Sequence, residues 1–279
     1  MDRSSINNLK EFIETSDAVV VGAGAGLSTA AGHEYGGKRF RDHFSDFEKI
    51  FGFHDMYSGG FYPFPDKETF WAYWSRMIWL NRYDCEPGAT YESLFRLLKD
   101  KNYFVITTNV DHCFQKSGFD KERLFYTQGD YGLFQCSKPC CQVTFDNFEA
   151  VKVMFEQQNN MRIPSNLVPI CSNCGRELTT NLRCDNRFVE DLGWHKAQVR
   201  YKKFLKDSEN KRVLFLELGV GFNTPGIIKY PFWKMVKENE NANFVTVDIN
   251  RVFIPHEIKD RSIRIKADIN DVLSEALSS

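Results

Sequence analysis

The sequence predicts an α/β fold, a Rossmann-like doubly wound parallel sheet with an inserted small zinc ribbon and helical module. Three observations carry this. Short apolar runs at residues 18–21, 103–107, 124–127, 213–218, 244–247 and 263–265 alternate with helical spacings in both halves of the chain. Each run stops at polar or glycine residues, and at the carboxyl ends of parallel strands such residues gather ligands. Two close cysteine pairs lie between the halves, and a short metal-binding insert explains them.

Composition narrows the class. The 279 residues suffice for one α/β domain plus a smaller module. Apolar residues make up 42%, and 25 phenylalanines supply a large buried area. A net charge of −1 with no basic run argues against a nucleic-acid partner. The N-terminal stretch has no apolar signal core and no run is long enough for a membrane span, so the expected setting is cytoplasmic, with no membrane partner. In that setting eight cysteines point to metal or reactive thiols rather than structural disulfides.

Ile6, Leu9, Phe12 and Ile13 give residues 4–15 a helical face. Residues 18–21 read as a buried strand, and Gly22, Gly24 and Gly26 then permit a tight turn and close approach of a ligand. Ser28 is expected to cap a helix through Ala31, leaving amides aimed at a phosphate. A plain strand-to-helix turn is the alternative reading, and the spacing fits the G-x-G-x-x-G fingerprint in neither register. Residues 32–41, with Gly32, Tyr35, Arg39 and Arg41, read as a polar loop whose arginines either reach phosphate or ribose oxygens or are simply solvated. The aromatic stretch 44–83 reads as helices capping the core. A helix follows Pro87 and Gly88. The strand at 103–107 ends in Thr108, Asn109, Val110 and Asp111, and the one at 124–127 ends in Gln128, Gly129 and Asp130. The last three strands end near Gly219, Val220, Gly221, Asn223 and Thr224, then Asp248, Asn250 and Arg251, then Asp268, before a terminal helix.

Cys136-x3-Cys140-Cys141 and Cys171-x2-Cys174 supply the four thiolates of a tetrahedral structural zinc. Cys136, Cys140, Cys171 and Cys174 are the expected ligands, with Cys141 an alternative to Cys140. Four protein ligands leave no open position, so this zinc should hold the fold. Cys85 and Cys113 read as buried small hydrophobes. One domain over 1–279 is expected. Its Rossmann-like part covers 1–35, 86–130 and 210–279, its helical cap 36–85, and its zinc-binding module 131–209.

In this order the motifs resemble those of the sirtuin family over nearly the whole chain. Gly24-Ala25-Gly26-Leu27-Ser28 is similar to GAGIS, and Thr107-Thr108-Asn109-Val110-Asp111 to TQNID with Thr108 for glutamine. Gly219-Val220-Gly221 stands where the family has GTS, and Ile249-Asn250 where it has an asparagine near the adenosine ribose. The resemblance implies NAD, consumed as co-substrate. Its pyrophosphate would lie on Ala23 to Ser28, with Gly32, Tyr35, Arg39, Arg41 and Thr108 also on the cofactor. Gly219, Val220, Gly221, Asn223, Thr224, Asn250, Arg251 and Asp268 would lie near the adenosine half. Asn109 and Asp111 would face the nicotinamide and its ribose as catalytic residues.

Two departures redirect the chemistry. Gln128-Gly129 replaces the family's His-Gly, and a glutamine amide cannot take up a proton near neutral pH. Leu182-Arg183-Cys184-Asp185 replaces the apolar Val-x-Phe-Gly-Glu segment that receives acyl-lysine. Deacylation should therefore be crippled. The pattern is similar to class M sirtuins, the macrodomain-linked members that transfer ADP-ribose to a protein. The implied acceptor is a lipoylated carrier resembling the glycine-cleavage H protein, with a macrodomain hydrolase as functional partner and an oxidative-stress role. Gln128 would then orient the ribose or the acceptor. NAD hydrolysis, residual deacylation and non-catalytic NAD sensing are the alternatives.

Overall fold

The computed structural model describes residues 3–278. In chain order its first half runs α1 (Arg3–Thr15), β1 (Ala18–Ala23), α2 (Ala25–Ala30), α3 (Gly37–Phe51), α4 (Met56–Gly60), α5 (Lys67–Ile78), α6 (Gly88–Leu98), β2 (Tyr103–Thr107), α7 (Cys113–Lys116) and β3 (Leu124–Tyr126). The second half runs β4 (Gly129–Cys136), β5 (Phe145–Asp146), α8 (Phe148–Gln157), β6 (Leu178–Leu182), α9 (Leu192–Asp207), β7 (Val213–Leu218), α10 (Lys229–Glu238), β8 (Asn243–Val247), β9 (Ser262–Ile265) and α11 (Ile269–Ser278).

Six strands form one parallel sheet in the order β3-β2-β1-β7-β8-β9. Alternation sorts their side chains onto two faces. Val19, Val21, Val105, Leu214 and Leu216 meet α1, α6 and α11, whereas Val20, Phe104, Ile106 and Phe215 meet α9 and α10. Helices on both faces make the sheet doubly wound. Strand order runs outward from β1 in one direction up to β3 and then restarts on its other side at β7. The carboxyl ends of β1, β2 and β7 therefore flank a switch point, where such sheets leave a crevice.

The inserted part is a three-stranded antiparallel sheet, β5-β4-β6, sharing its core with the helical cap. Trp71 of α5 packs edge-on to Phe134 of β4 at 4.8 Å, and Phe40, Phe44, Phe47, Phe53 and Tyr73 fill the rest. The aromatic stretch thus caps the small sheet instead of the large one. Two local expectations change. Residues 37–41 open α3 rather than continuing a loop. Helix α9, counted by sequence with the zinc module, lies on the main sheet, where Trp194 packs on Phe125 and Tyr201 on Phe104. No helix among the described residues is long and apolar enough to cross a membrane.

Candidate active site

A cleft of about 700 Å3 opens at the switch point, with walls from β1, β2, β3 and β7 on one side and the cap and small sheet on the other. Gly24, Ala25, Ser28, Tyr35, Thr108, Asn109, Asp111, Gln128, Val220, Gly221, Asn223 and Thr224, all singled out in the sequence, line it. Elements up to 200 residues apart converge because three strands end side by side: Ala23 pairs with both Thr107 and Leu218.

The glycine turn works differently from its expected form. Helix α2 begins at Ala25, with Gly24 as an extended N-cap, so Ser28 sits inside the helix and does not cap it. The Gly24 amide donates to Leu218 O and the Gly26 amide to Gly219 O, both at 3.0 Å, so these two amides are closed to a ligand. Gly26 and Gly219 are glycine for each other's sake. A Cβ on Gly26 would stand 2.6 Å from Gly219 Cα, and one on Gly219 would stand 2.5 Å from the Gly26 backbone. Gly219 also has φ +61°, a conformation side chains resist. What faces the cleft is Ala25, whose amide has no protein acceptor among the described residues, and Gly221, where a Cβ would meet nothing. Leu27 and Ala23 are fully buried in the sheet core.

Four side chains lock together beside this turn. Ser28 Oγ donates to Asp111 Oδ2 at 2.5 Å and lies 2.9 Å from Tyr91 OH. Asn109 Nδ2 donates to Gly24 O and Ser28 Oγ at 3.0 Å, with Tyr91 OH at 3.3 Å. Because Gly24 O can only accept, the Asn109 amide is fixed in one orientation, leaving Oδ1 as its free acceptor. Asp111 is buried, and its Oδ1 accepts from the Cys113 amide at 3.0 Å. Burial pushes the Tyr91 hydroxyl well above the ordinary tyrosine range, so it stays protonated. Gln128 Nε2 reaches Thr224 Oγ1 at 3.5 Å across the cleft, and the Gln128 carbonyl accepts from the Arg183 amide.

No imidazole stands at the Gln128 position. His112 has φ +68° and turns its ring to Asp130, 2.8 Å from Nδ1, and Asp130 also binds Arg82. Burial alone would raise Asp130, but the His112 hydrogen bond and the Arg82 charge outweigh it and hold the carboxyl below its usual range. His33 does line the cleft, with its ring set against Cys85.

Several expected contacts lie elsewhere. Arg39 donates to Asn81 Oδ1 and Leu80 O at 2.8 Å, tying α3 to the helical turn Trp79–Tyr83 that follows α5, and Arg41 is exposed on α3. Gly32 lies off the cleft wall with φ +90°. Asn250 and Arg251 line a separate groove of about 390 Å3 with Val252, Arg264 and Lys266. Asp268 caps α11, its Oδ1 accepting from the Asn270 amide at 2.8 Å. Sequence reasoning missed Tyr57, Phe61 and Trp74 as wall residues. Tyr57 and Phe61 remain 57% exposed at a hydrophobic lip, and the buried Trp74 indole N–H has no partner. Within so aromatic a stretch, nothing in the sequence distinguishes them. Leu182, Arg183 and Cys184 also reach the wall, putting the altered acyl-lysine segment beside Gln128.

Away from the cleft, Cys136, Cys140, Cys171 and Cys174 place their sulfurs within 4.8 Å of one another, and Cys141 stays outside this set. Cys136 and Cys174 are 3.6 Å apart and Cys140 and Cys171 3.7 Å, close to the roughly 3.8 Å edge of a tetrahedron with ~2.3 Å Zn–S bonds. The set is compatible with a closed structural zinc joining the end of β4 to the start of β6.

No protein-family model matches the chain. A protein ADP-ribosyltransferase of Staphylococcus aureus is 36% identical over 270 residues, covering 96% of this chain and 86% of that protein. A probable bifunctional ADP-ribose hydrolase/ADP-ribosyltransferase of Fusarium oxysporum f. sp. cubense is 28% identical over 278 residues, covering 94% of this chain but 45% of that longer protein. Among solved structures, Sir2Tm bound to a propionylated peptide superposes with a TM-score of 0.64 at 17% identity, covering 98% of this chain and 97% of that one. A serine-to-alanine variant of a Sir2 homologue in complex with ADP-ribose gives 0.65 at 14% identity, covering 100% and 96%. The structures show the fold, and the bacterial relative shows the family: the chain belongs to the sirtuin-fold protein ADP-ribosyltransferases.

Proposed function

We propose that the protein cleaves NAD at the nicotinamide–ribose bond, releases nicotinamide, and transfers ADP-ribose to a lipoylated carrier resembling the glycine-cleavage H protein. The observation that carries this reading is Gln128 at the end of β3, on the cleft wall where a deacylating sirtuin needs a base. Transfer to an external acceptor deprotonates no ribose hydroxyl, so a neutral amide suffices there.

The chain's own residues would then act by position and charge. The Ala25 amide and the turn at Val220 and Gly221 offer a binding surface for the diphosphate. Asn109 Oδ1 is a fixed acceptor for a ribose hydroxyl. Asp111, held by Ser28 and Cys113, places a negative charge where positive charge develops as the glycosidic bond breaks. Gln128 and Thr224 stand at the cleft's crossing point and orient the incoming nucleophile. The exposed lip of Tyr57 and Phe61 suits the aliphatic arm of a lipoyl group.

A macrodomain hydrolase as functional partner is supported by the fungal relative, whose name pairs ADP-ribose hydrolase with transferase in one polypeptide. A cytoplasmic setting and an oxidative-stress role belong to the same reading. The decisive experiment supplies NAD labelled in the adenylate half, with and without the lipoylated carrier. Label on the carrier is expected, with none after Asn109→Ala. Free ADP-ribose alone would make the protein a hydrolase, unchanged NAD would make it a sensor, and substantial wild-type deacylation would overturn the role given to Gln128.

A further inference from the structure

At the cleft wall and just behind it, outside the zinc cluster, the side chains of His33, Cys85 and Cys113 bring an imidazole and two thiols, none of them given a part in the transfer chemistry, within 4.8 Å of one another. The two sulfurs are 4.0 Å apart, and Cys85 Sγ lies 3.4 Å from His33 Nδ1 and 3.6 Å from Nε2. We infer that Cys85 and Cys113 form an oxidisable thiol pair, in which a hydroperoxide converts them to a disulfide with His33 as the activating group.

Geometry separates this from a metal site. The sulfur is almost equidistant from both ring nitrogens, so neither lone pair is directed at it. Zinc would need a ring lone pair directed along a Zn–N bond of about 2.0 Å with the thiolate sulfur at ~2.3 Å. A charge pair has no such directional demand. The sulfur contact with Cys113, then the neighbouring His33 imidazole, together outweigh burial and lower the Cys85 thiol below its usual range. The same contact and burial push the Cys113 thiol up, and the hydrogen bond to Cys85 raises His33. The pair is thus asymmetric, with Cys85 the more readily ionised of the two. Cys85 keeps 4% exposure beside a cleft-wall histidine while Cys113 has none, so a small oxidant meets the thiolate first.

The Cys85 thiolate attacks one peroxide oxygen and the O–O bond breaks. Cys85 becomes a sulfenic acid, and the departing alkoxide or hydroxide takes a proton from the His33 imidazolium. Cys113 sulfur then attacks the sulfenic sulfur, the S–O bond breaks, and hydroxide leaves as water with the thiol proton. The two sulfurs together lose two electrons and the peroxide gains them.

The product matters to the cleft. Closing 4.0 Å to about 2.05 Å draws Cys113 toward the loop at Cys85. The Cys113 amide is a donor to Asp111 Oδ1, so the pull falls on the carboxylate that Ser28 holds from its other side.

The test is independent of any acceptor. Full-length zinc-loaded protein is titrated with hydrogen peroxide, then alkylated, digested and mapped by mass spectrometry while zinc release is followed. A Cys85–Cys113 linked peptide is expected before zinc release and should be reversed by a thiol reductant. In Cys113→Ser, a sulfenic acid at Cys85 should be trapped by dimedone instead. Hydrogen exchange at the Cys113 amide should be roughly tenfold faster in the oxidised protein, the loss of about one hydrogen bond. Oxidation confined to the zinc cysteines or Cys184 would overturn the inference. So would a second equivalent of zinc per chain that disappears in Cys85→Ser, whereas a linked peptide with unchanged exchange at Cys113 would overturn the coupling to Asp111.

Discussion

Ser28→Ala separates two roles for one hydroxyl. As a helix cap, Ser28 would contribute about 1 kcal/mol regardless of what stands at position 111. As observed, its Oγ donates to a buried carboxylate at 2.5 Å and also meets Tyr91 and Asn109. A hydrogen bond to a charged group contributes roughly 1.5–3 kcal/mol, and each neutral one about 1 kcal/mol. These do not simply add, because Tyr91 OH and Asn109 Nδ2 still have each other at 3.3 Å after the hydroxyl is gone. A total loss of roughly 2–4 kcal/mol follows, most of it from the Asp111 bond. Urea unfolding of the wild type, Ser28→Ala, Asp111→Ala and the double variant isolates that bond. The coupling should be about 1.5–3 kcal/mol, with the double variant less destabilised than the two single losses combined. A coupling below about 0.5 kcal/mol would mean that Ser28 and Asp111 act independently and that the network is wrongly drawn.

Gly219→Ala should destabilise the fold by more than the roughly 1–2 kcal/mol of its left-handed backbone, because the new Cβ meets Gly26 backbone atoms at 2.5 Å. Thermal melting reads this, and Gly221→Ala, with nothing within 4 Å, is the matched control. Metal analysis should find one zinc per chain, lost in Cys174→Ser and kept in Cys141→Ser, with chelation loosening the small sheet before the large one. Asp130 is held below its usual carboxyl range in the folded chain, so its contribution is present above the ordinary aspartate pKa. That contribution is lost as pH falls below about 4 and the native carboxyl protonates. Asp130→Asn should therefore flatten the acid limb of a stability–pH curve measured by urea unfolding, and an unchanged limb would remove Asp130 from the account.

Strand ends and cysteine pairs were readable because they are local. Residues 103–107 announce a buried strand by composition, and the polar run from Thr108 to Asp111 must then emerge at its carboxyl end. Paired cysteines with two or three residues between them imply a shared ligand whatever surrounds them. Apart from residues 37–41, which open α3, the misreadings turn on distant partners. Ser28 carries the residue type of a cap, yet its partner Asp111 is 83 positions away. Arg39 looks like a free loop cation until Asn81, 42 positions on, takes it. The aromatic stretch 44–83 gave no sign that its cover would be β4, since Phe134 lies beyond the strand that ends the main sheet's first half.

The glycine turn illustrates how such a misreading can still point to the right place. Alternate glycines at 22, 24 and 26 suggest a backbone opened for a ligand, but a Cβ on Gly22 would strike Ile228 and Phe232, and those on Gly24 and Gly26 would strike the turn at Gly219. All three serve packing. Their effect is to let the ends of β1 and β7 interlock, with Gly26 N donating to Gly219 O, and that interlock is what brings Ala25 and Val220 to the same cleft wall. A fingerprint glycine placed for phosphate would tolerate alanine in the ligand-free fold and fail only on binding. Gly26 should fail in the fold itself, so the stability of Gly26→Ala without NAD distinguishes a cradle that touches the nucleotide from a clasp that shapes the cleft around it.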